Sequence, residues 1–174
     1  SLLIWTRHMN DVTMHAGFVP KGCEGTVPAQ PAVTLGAGVL WRQAYDAVTT
    51  NGGKYVQGGG CLTVGVPGLI QSGGFGSFSK HYGLAAGSLL EAEVVTADGQ
   101  VRIANACTNS DLFWALKGGG GGSYGVVSKV TLRLHELPEF FGAASFTIKA
   151  RSDNIVWRVN LIRAVLMAAV AIAA

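Results

Sequence analysis

The sequence predicts an α+β domain in which a mixed or antiparallel sheet predominates. Residues 126–134 alternate between apolar and polar side chains, as is typical of a strand with one polar face. An Asp98-Gly99 pair lies between two β-type runs and indicates a hairpin. Apolar residues in 40–48 recur every three to four positions, which is the period of an amphipathic helix. At 174 residues, 49% of them hydrophobic and 13% charged, the chain is long enough to bury one core.

The first third of the chain is predicted to form a strand, a helix and a short strand. Residues 31–38 have strand character, and the helix 40–48 follows them. Gly52 and Gly53 end that helix in the manner of a C-terminal cap. Residues 54–57 then read as a short strand that leads into a glycine-rich segment.

The rest of the chain alternates β-type runs with short helices. Asp98-Gly99 predicts a type I′ turn, which needs positive φ at both central residues. The uncharged run 164–174 has eleven residues, fewer than the ~20 that a membrane span needs. The elements predicted here are strands 89–97 and 100–106, a helix over 112–117 that Ser110 and Asp111 cap and Gly118 closes, strands 126–134 and 140–149, and a terminal helix over 155–174.

The charge distribution argues against a nucleic-acid-binding surface, and the cysteine spacing argues against a zinc site. The net charge is only +3 and the basic residues are scattered, whereas a nucleic-acid surface needs a basic stripe. Cys23, Cys61 and Cys107 lie far apart with no C-x-x-C spacing, so no zinc site is expected. A disulfide between two of these cysteines stays open at this point.

Two glycine-rich segments carry the functional signal. The first glycine loop, residues 58–76, has eight glycines among nineteen positions, and its apolar residues are unlike those of a flexible linker. We interpret it as a buried loop that a ligand approaches. The second glycine loop, residues 118–125, satisfies G-x-G-x-x-G at 120–125, but it follows a predicted helix and precedes a strand, the reverse of a Rossmann motif. Tight sheet packing and ligand contact remain the two alternatives for both loops.

Four segments in order resemble the FAD-linked oxidases of the vanillyl-alcohol oxidase and berberine-bridge-enzyme type. They are Gly-Cys-Leu-Thr-Val-Gly-Val at 60–66, Gly-Gly-Phe-Gly at 73–76 with Tyr-Gly-Leu-Ala-Ala at 82–86, the hairpin at 97–99, and residues 111–127. The resemblance covers roughly residues 1–150 and implies the second part of a PCMH-type FAD-binding domain. It implies that the apolar helical tail, 151–174, begins a missing or altered substrate domain.

The resemblance implies FAD lying across both glycine loops. In many members a cysteine at the position of Cys61 bonds C6 of the flavin ring; the alternative is an ordinary buried thiol. Cys23 and Cys107 match no functional position and are expected to be structural. The cofactor-binding residues it implies are Gly60, Cys61, Thr63, Gly65, Val66, Gly68, Gly73, Gly74, Gly125, Val126 and Val127.

The function implied for the intact enzyme is the oxidation of a small alcohol, sugar or secondary metabolite by hydride transfer to flavin, with oxygen as acceptor. The family's Arg-Gly-Gly-Gly-His-Ser pyrophosphate loop is not found in these 174 residues, and no catalytic base or metal ligand is assigned. The strand-like run 2–5 at the start also makes us expect a truncated chain. The alternative is a non-catalytic remnant that does not bind FAD. A membrane-anchored module is disfavoured because Arg158 and Arg163 interrupt the tail.

Overall fold

The computed structural model describes residues 3–139, 147 and 153–172. The chain divides into two compact units, Ser1–Pro138 and Glu139–Ala174. The first unit has the predicted α+β architecture. In the second, the predicted terminal helix is present, and no helix in the described part of the chain is long and apolar enough to cross a bilayer.

Seven strands form two antiparallel sheets in the first unit. The main sheet has five strands in the order β1-β2-β6-β4-β5, and β3 pairs with β7 in a small second sheet. The central strand β6 pairs with β2 on one side and β4 on the other. The strands are β1 (Val12–Phe18), β2 (Gln30–Gly36), β3 (Lys54–Tyr55), β4 (Leu89–Val95), β5 (Val101–Asn105), β6 (Val126–Arg133) and β7 (His135–Glu136).

Short helices cover one face of the main sheet. The predicted helix at 40–48 is confirmed as α1, which continues into a π-helical turn over Asp46–Asn51. A helix within the first glycine loop was not predicted, although Pro67 in its first turn is a recognised signal for a helix start. The helices of the first unit are α1 (Trp41–Tyr45), α2 (Val66–Gln71), α3 (Ser79–Tyr82) and α4 (Ser110–Leu116), with a 3₁₀ turn at Ala85–Ser88. The second unit contains α5 (Ile155–Ile172).

The core lies between that sheet face and the helices. Alternation along β2 directs Val33 and Leu35 into the core and Thr34 to the opposite face. The polar face predicted for β6 includes Thr131, which is buried, and its hydroxyl lies 2.9 Å from that of Thr34. The buried cluster includes Trp41, Ala44, Val66, Ile70, Leu116, Val127, Val130 and Leu132.

The hairpin between β4 and β5 forms where it was predicted, but its turn is not type I′. Among the described non-glycine residues of this hairpin none has positive φ, and only Gly99 does, at +77°. The Gly99 N–H donates to the Thr96 carbonyl at 2.9 Å, which gives a three-residue loop with a left-handed glycine. The Asp98 carboxylate holds this loop by accepting from Thr96 Oγ1, at 2.5 Å, and from the Gln100 N–H.

Two further expectations are wrong: the cap predicted for α4 and the strand predicted at the start of the chain. The cap of α4 is Asn109, in the left-handed region at φ 47°, and Ser110 and Asp111 lie inside the first turn. Asparagine adopts this conformation more readily than most residues, and its amide donates to the Ile103 carbonyl at 2.7 Å. Residues 3–5 are exposed and lie in no strand. The predicted strand 140–149 falls outside the described residues apart from position 147.

A disulfide joins Cys23 to Cys107, with Cα atoms 5.5 Å apart and a sequence separation of 84. It ties the β1–β2 connection to the segment before α4. Asn105 supports the junction, since its side-chain oxygen accepts from the N–H groups of Cys107 and Thr108 at 2.8 Å. Cys61 is left as the free thiol of the chain.

Replacing Cys23 and Cys107 together with alanine should lower the free energy of unfolding by about 2–4 kcal/mol, because the cross-link restricts a long loop in the unfolded chain. Urea unfolding of the oxidised chain measures this. The matched control is Cys61→Ala, which removes a thiol that makes no cross-link and should leave the midpoint unchanged. Equal midpoints for the double variant and the wild type would contradict a stabilising disulfide.

Candidate functional site

The first glycine loop is only partly buried. Gly58 and Gly59 lie inside, whereas the cysteine turn, residues 60–64, is exposed and α2 follows it. Gly58 must lack a side chain because a Cβ atom there would come within 2.5 Å of the Trp41 ring. The expectation of a buried loop therefore holds for Gly58 and Gly59 but not for the cysteine turn.

Helix α1 holds this turn and the residue before it by hydrogen bonds to three backbone carbonyls. The bonds run from the Trp41 N–H to Val64 at 3.0 Å, from the Arg42 N–H to Leu62 at 2.9 Å, and from the Tyr45 hydroxyl to Gly59 at 2.6 Å. The first two donors belong to the first helical turn, where N–H groups have no partner inside the helix. Because the acceptors flank Cys61 on both sides, α1 anchors the backbone on either side of this residue.

Cys61 has the environment of a reactive thiol. Its side chain is exposed, and its sulfur lies 3.5 Å from the Thr63 hydroxyl. The pKa of the thiol is lowered from its ordinary value, first because the Thr63 hydroxyl stabilises the thiolate, and also because the N–H groups of Thr63 and Val64 do so. The alternative of an ordinary buried thiol is wrong for this residue.

Three glycines of the loop have no explanation in the packing of the chain. Gly60, Gly65 and Gly68 have φ outside the left-handed region, and a Cβ atom on any of them would meet no described atom within 4 Å. An open face of bare backbone is what a flat ligand needs for close approach. By contrast, Gly73 and Gly74 have φ of 92° and 74° and turn the chain after α2.

The two glycine loops touch each other. The Gly120 N–H donates to the Gln71 carbonyl at 2.9 Å. A Cβ atom on Gly118 would lie 3.6 Å from Cα of Gly73. The structure thus brings the second loop against the end of α2, beside the predicted residues Gly73 and Gly74.

The remaining predicted residues lie in the sheet. Gly125 precedes β6, and a Cβ atom there would lie 2.6 Å from the Val95 carbonyl oxygen. Val126 and Val127 pair with the last residues of β4, and Val127 shares the buried cluster with Val66. Val127 is thus linked through the core to Val66, which follows the cysteine turn. Cofactor contact for Gly125, Val126 and Val127 stays a prediction.

An aromatic recess of about 180 Å³ lies against the entry to the cysteine turn, lined by Tyr45, Tyr55, Phe78, Ser77 and residues 58–60. Burial, with a smaller contribution from Tyr82, raises the pKa of Tyr55 to about 12, and burial likewise raises that of Tyr45. Both hydroxyls are protonated at neutral pH, as tyrosine hydroxyls ordinarily are, and each donates a hydrogen bond.

Sequence reasoning assigned Tyr45 only to the apolar face of a helix. The signal that could have shown more is an aromatic pair four residues apart, Trp41 and Tyr45, in the helix before the Gly-Gly-Gly-Cys segment. Side chains at this spacing share one helix face. Among the described residues no group of His, Cys, Asp and Glu is placed to hold a metal ion.

The sequence of this chain is similar to those of known proteins. The sequence model of the FAD binding domain family matches residues 2–105. The FAD-linked oxidoreductase phmC of Phaeosphaeria nodorum is 44% identical over 134 residues, which are 77% of this chain and 30% of that protein. Across the curated relatives compared, the chain spans 22% to 32% of their lengths.

Solved structures show the same fold. The VAO-type flavoprotein MtVAO615 from Myceliophthora thermophila C1 superposes with a TM-score of 0.69 at 41% identity, over 76% of this chain and 23% of that one. Glucooligosaccharide oxidase from Acremonium strictum, described with a 6-S-cysteinyl, 8α-N1-histidyl FAD, gives 0.64 at 29% identity, over 76% of this chain and 25% of that one.

Thr63→Val should raise the pKa of the Cys61 thiol, because the hydroxyl that stabilises the thiolate is lost while the side-chain shape is kept. The rate of alkylation by iodoacetamide, measured against pH, should then reach its midpoint at a higher pH than in the wild type. Cys61→Ala supplies the background, since the other two cysteines are in the disulfide. An unchanged midpoint would show that Thr63 does not activate the thiol.

Proposed function

We propose that this chain, which belongs to the FAD binding domain family of FAD-linked oxidoreductases, forms the flavin-facing part of an oxidase acting on a small alcohol, sugar or secondary metabolite. The observation that carries the proposal is an exposed thiol of lowered pKa on a turn flanked by bare glycine backbone. Dioxygen is the proposed electron acceptor. The cofactor, when bound, supplies the site that accepts hydride from the substrate.

The residues present fit such a cofactor. Gly60, Gly65 and Gly68 leave open backbone on and beside the cysteine turn, where a Cβ atom would meet no described atom within 4 Å. The aromatic recess borders the same turn and its stem. In this proposal the glycines bind and orient the ring system, and Cys61 anchors it.

The anchoring step is a covalent bond through sulfur. When flavin is bound, Cys61 would hold it by a thioether from its sulfur to C6 of the isoalloxazine ring. The thiol and ring hydrogens would leave as protons, and dioxygen would take up the two electrons and these protons as hydrogen peroxide. A lowered thiol pKa favours this step because the thiolate is the nucleophile. The cysteinyl flavin described for glucooligosaccharide oxidase supports the assignment by similarity.

The alternative is that the chain is a non-catalytic remnant that does not bind FAD. It is favoured by the length of the match, since these residues span 22% to 32% of the curated relatives' lengths. Substrate oxidation belongs to the whole protein, because no catalytic base is assigned within this chain. Cofactor retention by the chain itself separates the two functions.

Incubating the 174-residue chain with FAD and precipitating it with acid should leave a yellow pellet for the wild type and a colourless one for Cys61→Ala, because only a covalent link survives acid. The absorbance of the redissolved pellet is the measurement. Binding before precipitation should persist in Cys61→Ala. A colourless wild-type solution after removal of free FAD would instead favour the remnant.

Gly68→Ala should stabilise the chain by about 0.5–1 kcal/mol, since alanine is the better helix former and meets no neighbour, yet should weaken FAD binding by covering the open face. The matched control is Gly87→Ala, at a glycine equally open and outside both loops. Urea unfolding and FAD titration give the two readouts. FAD binding as tight as in Gly87→Ala would remove Gly68 from the site.

A further inference from the structure

Two tyrosines share the aromatic recess, and each hydroxyl makes one short hydrogen bond. Tyr45 donates to the Gly59 carbonyl and Tyr55 to the Gln57 side-chain oxygen, both at 2.6 Å. The two hydrogen bonds differ in the kind of acceptor. The acceptor of Tyr45 is the main chain two residues before Cys61, whereas the acceptor of Tyr55 is a side chain.

Three hydrogen bonds run from α1 to the cysteine turn and the residue before it, and the bond from Tyr45 is the one that a side chain donates. The other two are made by backbone N–H groups to carbonyls after Cys61. On the side before it, the chain passes through Gly59 and Gly60, and Gly60 has open space around it. Glycine has wide backbone freedom, so this approach to Cys61 is fixed only as far as Gly59 is held.

The ring of Tyr45 is itself held firmly. It packs on Trp41 with ring centroids 5.3 Å apart, and Trp41 is fully buried beneath Gly58. The Trp41 indole N–H has no hydrogen-bond partner among the described residues, so it is the shape of the ring that the structure uses. The phenol oxygen is therefore presented to Gly59 from a rigid base.

We propose that Tyr45 is a positioning residue for Cys61: its hydroxyl fixes the Gly59 carbonyl and so keeps the thiol beside the Thr63 hydroxyl. The consequence for flavin attachment rests on the proposed function. The consequence for the thiol does not, because it is a property of the chain without cofactor.

The first experiment measures alkylation of Cys61 by iodoacetamide against pH in the cofactor-free chain. Tyr45→Phe should move the midpoint to higher pH, in the same direction as Thr63→Val, and the two changes combined should move it no further than Thr63→Val alone. Tyr55→Phe is the matched control, because it removes an equally short bond in the same recess; its midpoint should equal that of the wild type.

A second variant separates positioning from general loosening. Gly60→Ala stiffens the approach without a steric neighbour, so in the Tyr45→Phe background it should return the midpoint part of the way to the wild-type value. Urea midpoints of the two Tyr→Phe variants show that both are folded. A wild-type midpoint in Tyr45→Phe, or the same shift in Tyr55→Phe, would overturn the proposal.

The third readout is covalent flavin attachment. Tyr45→Phe should slow the appearance of acid-stable flavin by about tenfold or more, because small misplacements of a reacting atom are costly. FAD affinity compared between Cys61→Ala and Cys61→Ala with Tyr45→Phe should be equal. If the wild type attaches no flavin, the proposed function fails, and the alkylation result still decides the role of Tyr45.

Discussion

The candidate site depends on how α1 fills its hydrogen-bonding capacity. The first N–H groups of any helix lack partners within it, and leaving them unpaired in a folded chain costs free energy. Here those of Trp41 and Arg42 are satisfied by carbonyls of the cysteine turn. The bonds that satisfy the start of this five-residue helix therefore also anchor the backbone that carries the exposed thiol.

The same logic ties the turn to the sheet. The Ala37 N–H donates to the Ser128 carbonyl at 2.8 Å, and the Val66 N–H donates to the Val39 carbonyl at 2.9 Å. The short connection between β2 and α1 therefore bonds to β6 at one end and to the start of α2 at the other. The second glycine loop leads directly into β6. Both glycine loops are therefore attached to the main sheet, which is what binding one cofactor across them would require.

Sequence reasoning recovered what period and turn composition encode. The hairpin at Asp98 was located correctly, but its turn type was not, because hydrogen bonds to that carboxylate set the loop, and a dipeptide rule does not include them. The period over 40–48 identified α1 yet counted Tyr45 only as an apolar position, since a period says nothing about a hydroxyl. The glycine richness of residues 58–76 concealed α2. The Cys23–Cys107 pairing was beyond reach because spacing alone leaves all pairings open.

Composition could not separate the two uses of glycine, and the structure does. Gly58 and Gly125 are required by neighbours that leave no room for a Cβ atom, whereas a Cβ atom at Gly60, Gly65 or Gly68 would meet no described atom. Gly65 is the N-cap of α2, a position where glycine is preferred to alanine. Gly60 and Gly68 have no such role, and each costs about 0.5–1 kcal/mol relative to alanine. A loss without a gain in packing is expected where the backbone must stay bare for something outside the chain, and both positions lie within eight residues of the activated thiol.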